Sequence, residues 1–201
     1  MDADTPGPAT RDAFRGFMSD YFTGVTVITS LDAAGAPHGL TCNSLTSVTF
    51  APPTLLVCLD LRSGTLAAVR ERGGFVVNLL HGRARWAAEL FASPTRHRFR
   101  RVAWEPSPRL GLPWLTDGAR TIAECRTTAT HVVGDHAVVH GAVMGVTTTA
   151  REHPPAPLLY GRRGFYDAPG PPAAEERADA ARVPAGAPVP ASVPVPGRRP
   201  S

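Results

Sequence analysis

The sequence predicts a mainly β domain, an antiparallel barrel that carries only a few short helices. Between residues 24 and 160 most of the chain divides into β-branched or apolar runs of strand length, separated by short turns. The two longest runs, 119–133 and 136–149, are joined by Gly134-Asp135, a dipeptide that suits a tight hairpin. Helical patterns do not alternate with the strands, and no GxGxxG motif follows a strand. A parallel βαβ fold is therefore disfavoured.

Three short helices are predicted within this domain. Thr10 can cap the first, which extends to residue 21, and Ser63 can cap the second, which extends to residue 72 and stops at Gly73. The third covers residues 83–92. The large apolar residues of the three helices are, in chain order, Phe14, Phe17 and Tyr21 on one face, then Leu66 and Val69 facing inward, then Trp86, Leu90 and Phe91.

Seven strands are predicted between and after these helices. The continuous apolar run at residues 53–60 is expected to be a central strand of the sheet. The run at 38–50 is expected to break near Asn43, and residues 32–37 form the turn before it. The seven predicted strands are 24–30, 38–50, 53–60, 75–80, 119–133, 136–149 and 157–160.

The two ends of the chain differ in composition from this domain. Residues 1–10 are predicted to form a flexible arm, residues 11–167 the folded domain, and residues 168–201 a disordered tail rich in proline and alanine. Prolines at short intervals between residues 183 and 196 remove backbone donors and exclude a helix or a ladder. The tail is interpreted as inert, with a docking peptide as the alternative.

The composition limits the class of ligand and the compartment. All 21 basic residues are arginine and the net charge is +4, which suits a phosphorylated small molecule. Nucleic acid is the rival interpretation, although the arginines look scattered in the sequence. Three cysteines with no CxxC pair predict neither a disulfide framework nor a metal site. With no apolar run near ~20 residues and no secretory signal, a cytoplasmic location is expected.

Polar side chains crowd one predicted strand. Five hydroxyl or amide residues occupy seven positions there, where a barrel strand usually places apolar groups. They either face a polar ligand or form a solvent-facing row of ordinary β-formers, and the alternation alone does not separate these interpretations. The five residues are Thr41, Asn43, Ser44, Thr46 and Ser47.

A second candidate is the segment Arg62-Ser63-Gly64-Thr65 at the start of a predicted helix. A helix N-terminus offers free amide donors, Ser63 and Thr65 add hydroxyls, and Gly64 allows a close approach. These features suit a phosphate, with an ordinary serine cap as the alternative. Asn78 lies within an apolar strand, where its amide needs a partner if it is buried.

Two further candidates come later in the chain. Arg98-Phe99 pairs a guanidinium with an aromatic ring, and the alternative is a surface charge beside a core anchor. His136 follows the predicted hairpin turn and can donate to a nucleotide, or it can be a solvated turn residue. No GxSxG motif and no pair of acids that could serve as general acid and base is evident.

In their order along the chain these segments resemble the flavin reductase-like family of FMN-binding split barrels. That family supplies the reductase component of two-component flavin monooxygenases. The resemblance spans about residues 13–166. The matching segments are Phe22-Thr-Gly-Val-Thr-Val-Ile-Thr, Gly35-Ala-Pro-His-Gly-Leu-Thr-Cys-Asn-Ser-Leu-Thr-Ser-Val, Pro52-Pro-Thr-Leu-Leu-Val-Cys-Leu, Ser63-Gly-Thr, Phe75-Val-Val-Asn, Arg98-Phe99, Gly134-Asp-His and Pro157-Leu-Leu-Tyr.

The resemblance implies a homodimeric, antiparallel Greek-key split barrel that binds FMN or FAD. The segment from Thr41 to Ser47 would line the flavin ring and Ser63 with Thr65 would take its phosphate. His136 would position the nicotinamide nucleotide. The residues implied to contact the flavin are Thr41, Cys42, Asn43, Ser44, Ser47, Ser63, Thr65, Asn78, Arg98 and Phe99, with Tyr160 near the same cleft.

The implied reaction is hydride transfer from NADH or NADPH to the flavin, followed by delivery of reduced flavin to a partner monooxygenase. NADH is favoured, because no arginine cluster for a 2′-phosphate is evident in the sequence. Two alternatives stay open at this point. The first is an oxidase or oxygenase that retains its flavin and acts on its own substrate, and the second is a non-catalytic flavin-binding module.

Overall fold

The computed structural model describes residues 7–149 and 155–169. The first six residues of the predicted arm and the predicted tail from residue 170 onward lie outside these ranges. No helix within the described ranges has both the length and the apolar character needed to cross a membrane.

Antiparallel sheets dominate the described chain, as the sequence predicted. Seven strands form one sheet in the order β3-β2-β6-β9-β10-β5-β4, and smaller sheets have the orders β1-β11-β12 and β7-β8. The strands are β1 (Thr23–Gly24), β2 (Thr26–Leu31), β3 (Pro37–Cys42), β4 (Thr46–Phe50), β5 (Pro53–Asp60), β6 (Gly74–Leu80), β7 (Trp104–Pro106), β8 (Pro113–Leu115), β9 (Ala119–Val133), β10 (His136–Thr148), β11 (Leu158–Gly161) and β12 (Gly164–Asp167).

The centre of the large sheet lies elsewhere than predicted. Strand β5 was expected to be central, but it lies one strand from the edge, between β10 and the exposed β4. Only Val57 and Leu59 of β5 are buried, whereas β6, between β2 and β9, is buried over nearly its whole length. The continuous apolar run of β5 therefore indicates that other elements partly cover both faces of this strand. It does not indicate a central position in the sheet.

The strand break and the long hairpin agree with prediction. Strand β3 ends at Cys42 and β4 begins at Thr46, which confirms the interruption near Asn43. Strands β9 and β10 pair antiparallel across Gly134, whose φ of 58° lies in the left-handed region that glycine adopts readily. The short strands β7, β8 and β12 were not predicted, because three or four residues carry too little alternation to be recognised.

The second helix agrees with prediction in detail, and the first does so only in part. Helix α1 (Arg11–Ser19) is capped by Thr10, and helix α2 (Gly64–Arg72) is capped by Ser63 and ended by Gly73 in a left-handed conformation. The predicted apolar face of α1 is not buried within the chain, since Phe14 is 59% exposed and Phe17 is 73% exposed.

Helix α3 (Arg85–Ala92) begins two residues later than predicted, after a 3₁₀ turn at Gly82–Ala84. Its buried side chains include Phe91, whereas Trp86 faces out and is 42% exposed. Phe91 belongs to an apolar cluster with Leu80 and Leu158, and a separate cluster around Phe75 packs α2 against the large sheet. Helices α2 and α3 thus cover different parts of the sheet.

The large sheet is curled so that one edge strand returns toward the other side. The hydroxyl of Ser44, just after β3, accepts a hydrogen bond from the Cys58 amide at 2.8 Å and donates to the Cys58 carbonyl at 3.2 Å. Four strands separate β3 from β5 in the pairing order. The curl therefore places the end of β3 beside β5 and opens a cavity between the end of β3 and the start of α2.

Candidate functional site

A cavity of about 1490 Å³ lies where β3, the start of α2, the segment 94–100 and the start of β10 meet. We call it the large cavity. Nine of the predicted site residues come together on its wall although they are spread over almost a hundred residues of sequence. They are Thr41, Cys42, Asn43, Ser44, Ser63, Thr65, Arg98, Phe99 and His136.

The hydroxyl groups at the end of β3 are already engaged by the fold. Thr41 Oγ1 donates to the Ala88 carbonyl of α3 at 2.6 Å, and Ser44 binds the Cys58 backbone as described above. Asn43 differs, because its exposed side chain makes no hydrogen bond within residues 7–149 and 155–169. Asn43 is therefore the side chain of this segment that is free to bind a ligand.

Cys42 is a packing group. Its side chain is buried and its Sγ lies 3.0 Å from Ser44 Oγ. Burial raises the pKa of the Cys42 thiol above its usual value, so the group is neutral at physiological pH. A neutral buried thiol adds shape and apolar surface to the cavity wall.

The start of α2 presents donors to the large cavity. Ser63 Oγ accepts the Leu66 amide at 3.1 Å, so the predicted serine cap exists, while the amides of Gly64 and Thr65 belong to the first helical turn and have no intrahelical acceptor. Free amides at the positive end of a helix suit a phosphate.

His38, which the sequence reasoning missed, lies beside this helix start. A Cβ added at Gly64 would be 3.2 Å from His38 Nδ1, and His38 Nε2 lies 3.0 Å from Asp32 Oδ2. A hydrogen bond from the Ala36 amide, and a second from His38, hold the pKa of Asp32 below its usual range. The useful signal was the position of Asp32 in the turn that precedes β3.

Asp60, Arg62 and His136 form another part of the rim of the large cavity. Arg62 donates to both carboxylate oxygens of Asp60, at 2.8 and 3.1 Å, and this guanidinium holds the pKa of Asp60 well below its usual range. His136 lies directly opposite Asp60 in the β10–β5 pairing. Its Nδ1 is 2.7 Å from Asp135 Oδ1, which fixes the ring and lowers the pKa of Asp135.

The segment 94–100 is fastened to β3 by Arg98. The Arg98 guanidinium donates to the Gly39 carbonyl at 2.9 Å and also to the Ser93 carbonyl. Phe99 packs edge-to-face against Phe91 and Trp104, with ring centroids 5.2 and 5.8 Å apart. Arg98 and Phe99 thus shape the wall mainly by holding backbone in place.

The same segment corrects the view that the arginines are scattered. The structure places four of them around the large cavity, although only one was singled out from the sequence as a contact. The available signal was the run Arg96-His-Arg-Phe-Arg-Arg. The four arginines are Arg62, Arg96, Arg98 and Arg100.

A second cavity, of about 510 Å³, lies on the other side of the β3 end and is called the Tyr160 cavity. It shares Thr41, Asn43 and Ala92 with the large cavity. Tyr160 lies on its wall and packs against Phe165, with ring centroids 5.3 Å apart. The two cavities therefore adjoin at the end of β3, and the three shared residues form the partition between them.

Two predicted site residues lie away from both cavities. Asn78 is fully buried in β6, where its amide donates to Val27 O at 2.9 Å and Thr29 Oγ1 at 3.1 Å, and accepts from the Leu115 amide at 2.8 Å. Its hydrogen bonds are used inside the core and it lines neither cavity, so the structure gives no support for its assignment to the flavin.

Ser47 is the second. It lies on the exposed edge strand β4, opposite Leu55, and lines neither cavity. The break at residues 43–45 turns the chain away from the large cavity, which is why Ser47 does not share the surroundings of Ser44. The solvent-facing alternative holds for Ser47.

Known proteins resemble this chain in sequence. Residues 18–169 match the family described as flavin reductase like domain. The chain is 52% identical over 166 residues to the flavin reductase (NADPH) of Lentzea aerocolonigenes, covering 82% of this chain and 95% of that protein.

Two crystal structures are similar in fold. One is nitrilotriacetate monooxygenase component B from Mycobacterium thermoresistibile, with 32% identity, a TM-score of 0.74, and coverage of 81% of this chain and 90% of that chain. The other is an NADH:FAD oxidoreductase of Streptomyces globisporus in complex with NAD and FAD fragments, with 30% identity, a TM-score of 0.72, and coverage of 86% and 99%. The chain therefore belongs to the family of flavin reductase-like domains.

Proposed function

We propose that this protein is an NAD(P)H-dependent flavin reductase, which transfers hydride to FMN or FAD and supplies the reduced flavin to a partner monooxygenase. One observation carries the proposal. A single cavity joins a helix start suited to phosphate, an unengaged asparagine and a turn histidine. Its volume of about 1490 Å³ exceeds the ~300–1,000 Å³ of a typical ligand site, which supports the binding of both a flavin and a nicotinamide nucleotide.

The wall of the large cavity suits a flavin nucleotide. The first-turn amides of α2 and the Ser63 hydroxyl would hold its phosphate, and the Asn43 amide would bind a heteroatom of its ring. When bound, the flavin itself supplies the hydride-accepting chemistry. The protein's part is to orient the two nucleotides and keep water from the ring faces, for which no acid–base pair is required.

His136 is the proposed positioning residue for the nicotinamide nucleotide. Its ring is fixed through Nδ1 by Asp135, which leaves Nε2 to contact a ligand. We expect His136→Ala to raise the KM for the nicotinamide nucleotide by about tenfold while the flavin Kd changes less, since one hydrogen bond to a charged ligand is lost. Steady-state kinetics and flavin titration measure the two effects. Weakened flavin binding with an unchanged KM would reverse the assignment.

The proposal includes a homodimeric split barrel. The curl at Ser44 and Cys58 supports the barrel, because it brings β3 beside β5. Several apolar side chains on the outer face of the sheet are exposed in the single chain, with Phe50 at 89% and Val133 at 63%. Light scattering after gel filtration tests the dimer.

A cytoplasmic location is part of the same proposal. All three cysteines of the chain, Cys42, Cys58 and Cys125, are free. Free thiols of this kind fit a reducing compartment.

The activity is tested by following oxidation of NADH and of NADPH with FMN, FAD and riboflavin in turn. We expect many equivalents of added flavin to be reduced, and anaerobic filtration to find reduced flavin free in solution. Flavin that stays on the protein and is reduced once would instead indicate an oxygenase acting on its own substrate. No nucleotide oxidation with any flavin would indicate a binding module.

A further inference from the structure

The charges around the large cavity are unequal in number. Four arginines line it, whereas Asp60 is the acidic residue among the lining side chains. A cavity that binds two nucleotides must balance several phosphate charges. It therefore matters whether each arginine is already engaged within the protein or is available to a ligand.

Two of the four arginines are already engaged. Arg62 forms a bidentate pair with Asp60, and Arg98 is bonded to the backbone carbonyls of Gly39 and Ser93. The charge of Arg62 and the donors of Arg98 are therefore largely used within the protein.

The other two, Arg96 and Arg100, are exposed and carry no such partner. Within the described ranges neither guanidinium lies within 4.0 Å of a carboxylate oxygen, and neither makes a side-chain hydrogen bond. Both reach the wall of the large cavity. They offer two unused cationic forks at one site.

The backbone that carries these two residues is held in place. Ser93 Oγ donates to Thr95 Oγ1 at 2.8 Å, the Arg100 amide donates to the His97 carbonyl at 3.0 Å, and Arg98 fastens the middle of the segment to β3. His97 adopts a left-handed conformation, with φ of 57°, at the bend between them. A fixed backbone with free guanidinium ends reduces the entropy lost when a ligand binds.

We propose that Arg96 and Arg100 bind the 2′-phosphate of NADPH and set the preference for NADPH over NADH. This inference rests on the proposed function. A phosphate monoester carries close to two negative charges at neutral pH, and two guanidinium forks on one cavity wall, neither paired with a carboxylate within the described ranges, match it in charge. The flavin phosphate has its own donors at the start of α2. This proposal is the opposite of the preference for NADH expected from the sequence.

The test compares Arg96→Ala, Arg100→Ala and the double variant with wild type. For each, the KM for NADPH and for NADH is measured with saturating flavin, and the Kd for NADP⁺ and for NAD⁺ is measured by calorimetry. Each single substitution is expected to raise the NADPH-to-NADH ratio of KM, and the matching Kd ratio, by about tenfold, as expected for one charge-assisted bond.

Arg101→Ala is the matched control. Arg101 is an exposed residue of the same 3₁₀ turn, Arg98–Arg101, but it does not line the large cavity. The Arg101→Ala substitution is expected to leave the KM ratio and the Kd ratio unchanged from wild type. A similar shift in the control would show that general surface charge is responsible and would overturn the proposal.

Three other outcomes would each have a different interpretation. Equal weakening of NADPH and NADH would assign the two arginines to the pyrophosphate that both nucleotides share and would overturn the proposal. A raised Kd for FMN but not for riboflavin would assign them to the flavin phosphate, with the same consequence. If wild type oxidises neither nucleotide with any flavin, the proposed function itself fails, which is a separate result from an active enzyme with unmoved ratios.

Discussion

Two asparagines that the sequence presents in similar terms have opposite surroundings in the structure. Asn78 lies in β6 at the centre of the large sheet, where it is fully buried and bonded to Val27, Thr29 and Leu115. Asn43 lies in the break between β3 and β4, exposed and on the wall of both cavities. Each is a polar residue within a predicted strand.

The side-chain amide of Asn78 is already hydrogen-bonded within the fold, whereas that of Asn43 is available to a ligand. In the closed region a polar side chain links strand β6 to β2 and β8, and its hydrogen bonds offset the cost of burial. In the break between β3 and β4 the backbone ladder stops, and the Asn43 side chain makes no hydrogen bond within the described ranges. The interruption of a strand, more than the presence of a polar residue, indicates where a ligand can bind.

The largest expected effect comes from the closed region. Asn78→Ala removes three hydrogen bonds and leaves the buried Leu115 amide without its acceptor, so we expect a loss of about 3 kcal/mol in the free energy of unfolding. Urea unfolding measures it, and Asn78→Ser offers a milder change if the alanine variant does not fold. A small loss of stability combined with weak flavin binding would return Asn78 to the site.

Asn43→Ala is the matched substitution in the open region. No hydrogen bond within the described ranges is lost, so the free energy of unfolding should change by less than about 0.5 kcal/mol. The flavin Kd should rise by about tenfold, because one bond to the ligand disappears. Fluorescence titration measures the Kd. If stability falls and affinity holds, the contrast between the two asparagines is wrong.

The smallest expected effect concerns pH. The pKa of Asp60 is lowered below its usual value near 3.8 by Arg62, so the pair's contribution to stability is fully present above about pH 3.8 and is lost as pH falls through the lowered pKa. The difference in urea midpoint between wild type and Asp60→Asn should therefore stay constant from pH 7 to pH 5. It should shrink only in stronger acid. A change between pH 7 and pH 5 would show that another group controls this rim.

Local signals in the sequence were sufficient for the elements that depend on local physics. The Ser63 cap, the Gly73 stop and the Gly134-Asp135 hairpin each follow from the conformational preference of one or two residues, and all three are present. Eight of the nine residues that meet at the large cavity were singled out from local residue patterns, the family resemblance added Cys42, and the structure shows that all nine share a wall. Their individual roles as ligand contacts stay predictions.

What the sequence missed depends on tertiary neighbours. The position of β5 near the edge, the exposure of Phe17 and the engagement of Asn78 are set by strand order and tertiary packing, which apolar periodicity does not encode. Arg96 and Arg100 could be noticed as a basic run, yet only the structure shows that Arg62 and Arg98 have side-chain partners whereas Arg96 and Arg100 have none among residues 7–149 and 155–169.

The partition between the two cavities has a further consequence. Thr41, Asn43 and Ala92 face both, so a ligand that shifts this partition from one side alters the shape offered on the other. Equilibrium linkage is reciprocal, and the second ligand must then change the affinity of the first by the same factor. Because residues 43–45 lack ladder hydrogen bonds, the partition yields most easily there. The affinities of ligands in the two cavities would thus be coupled through a gap in one strand.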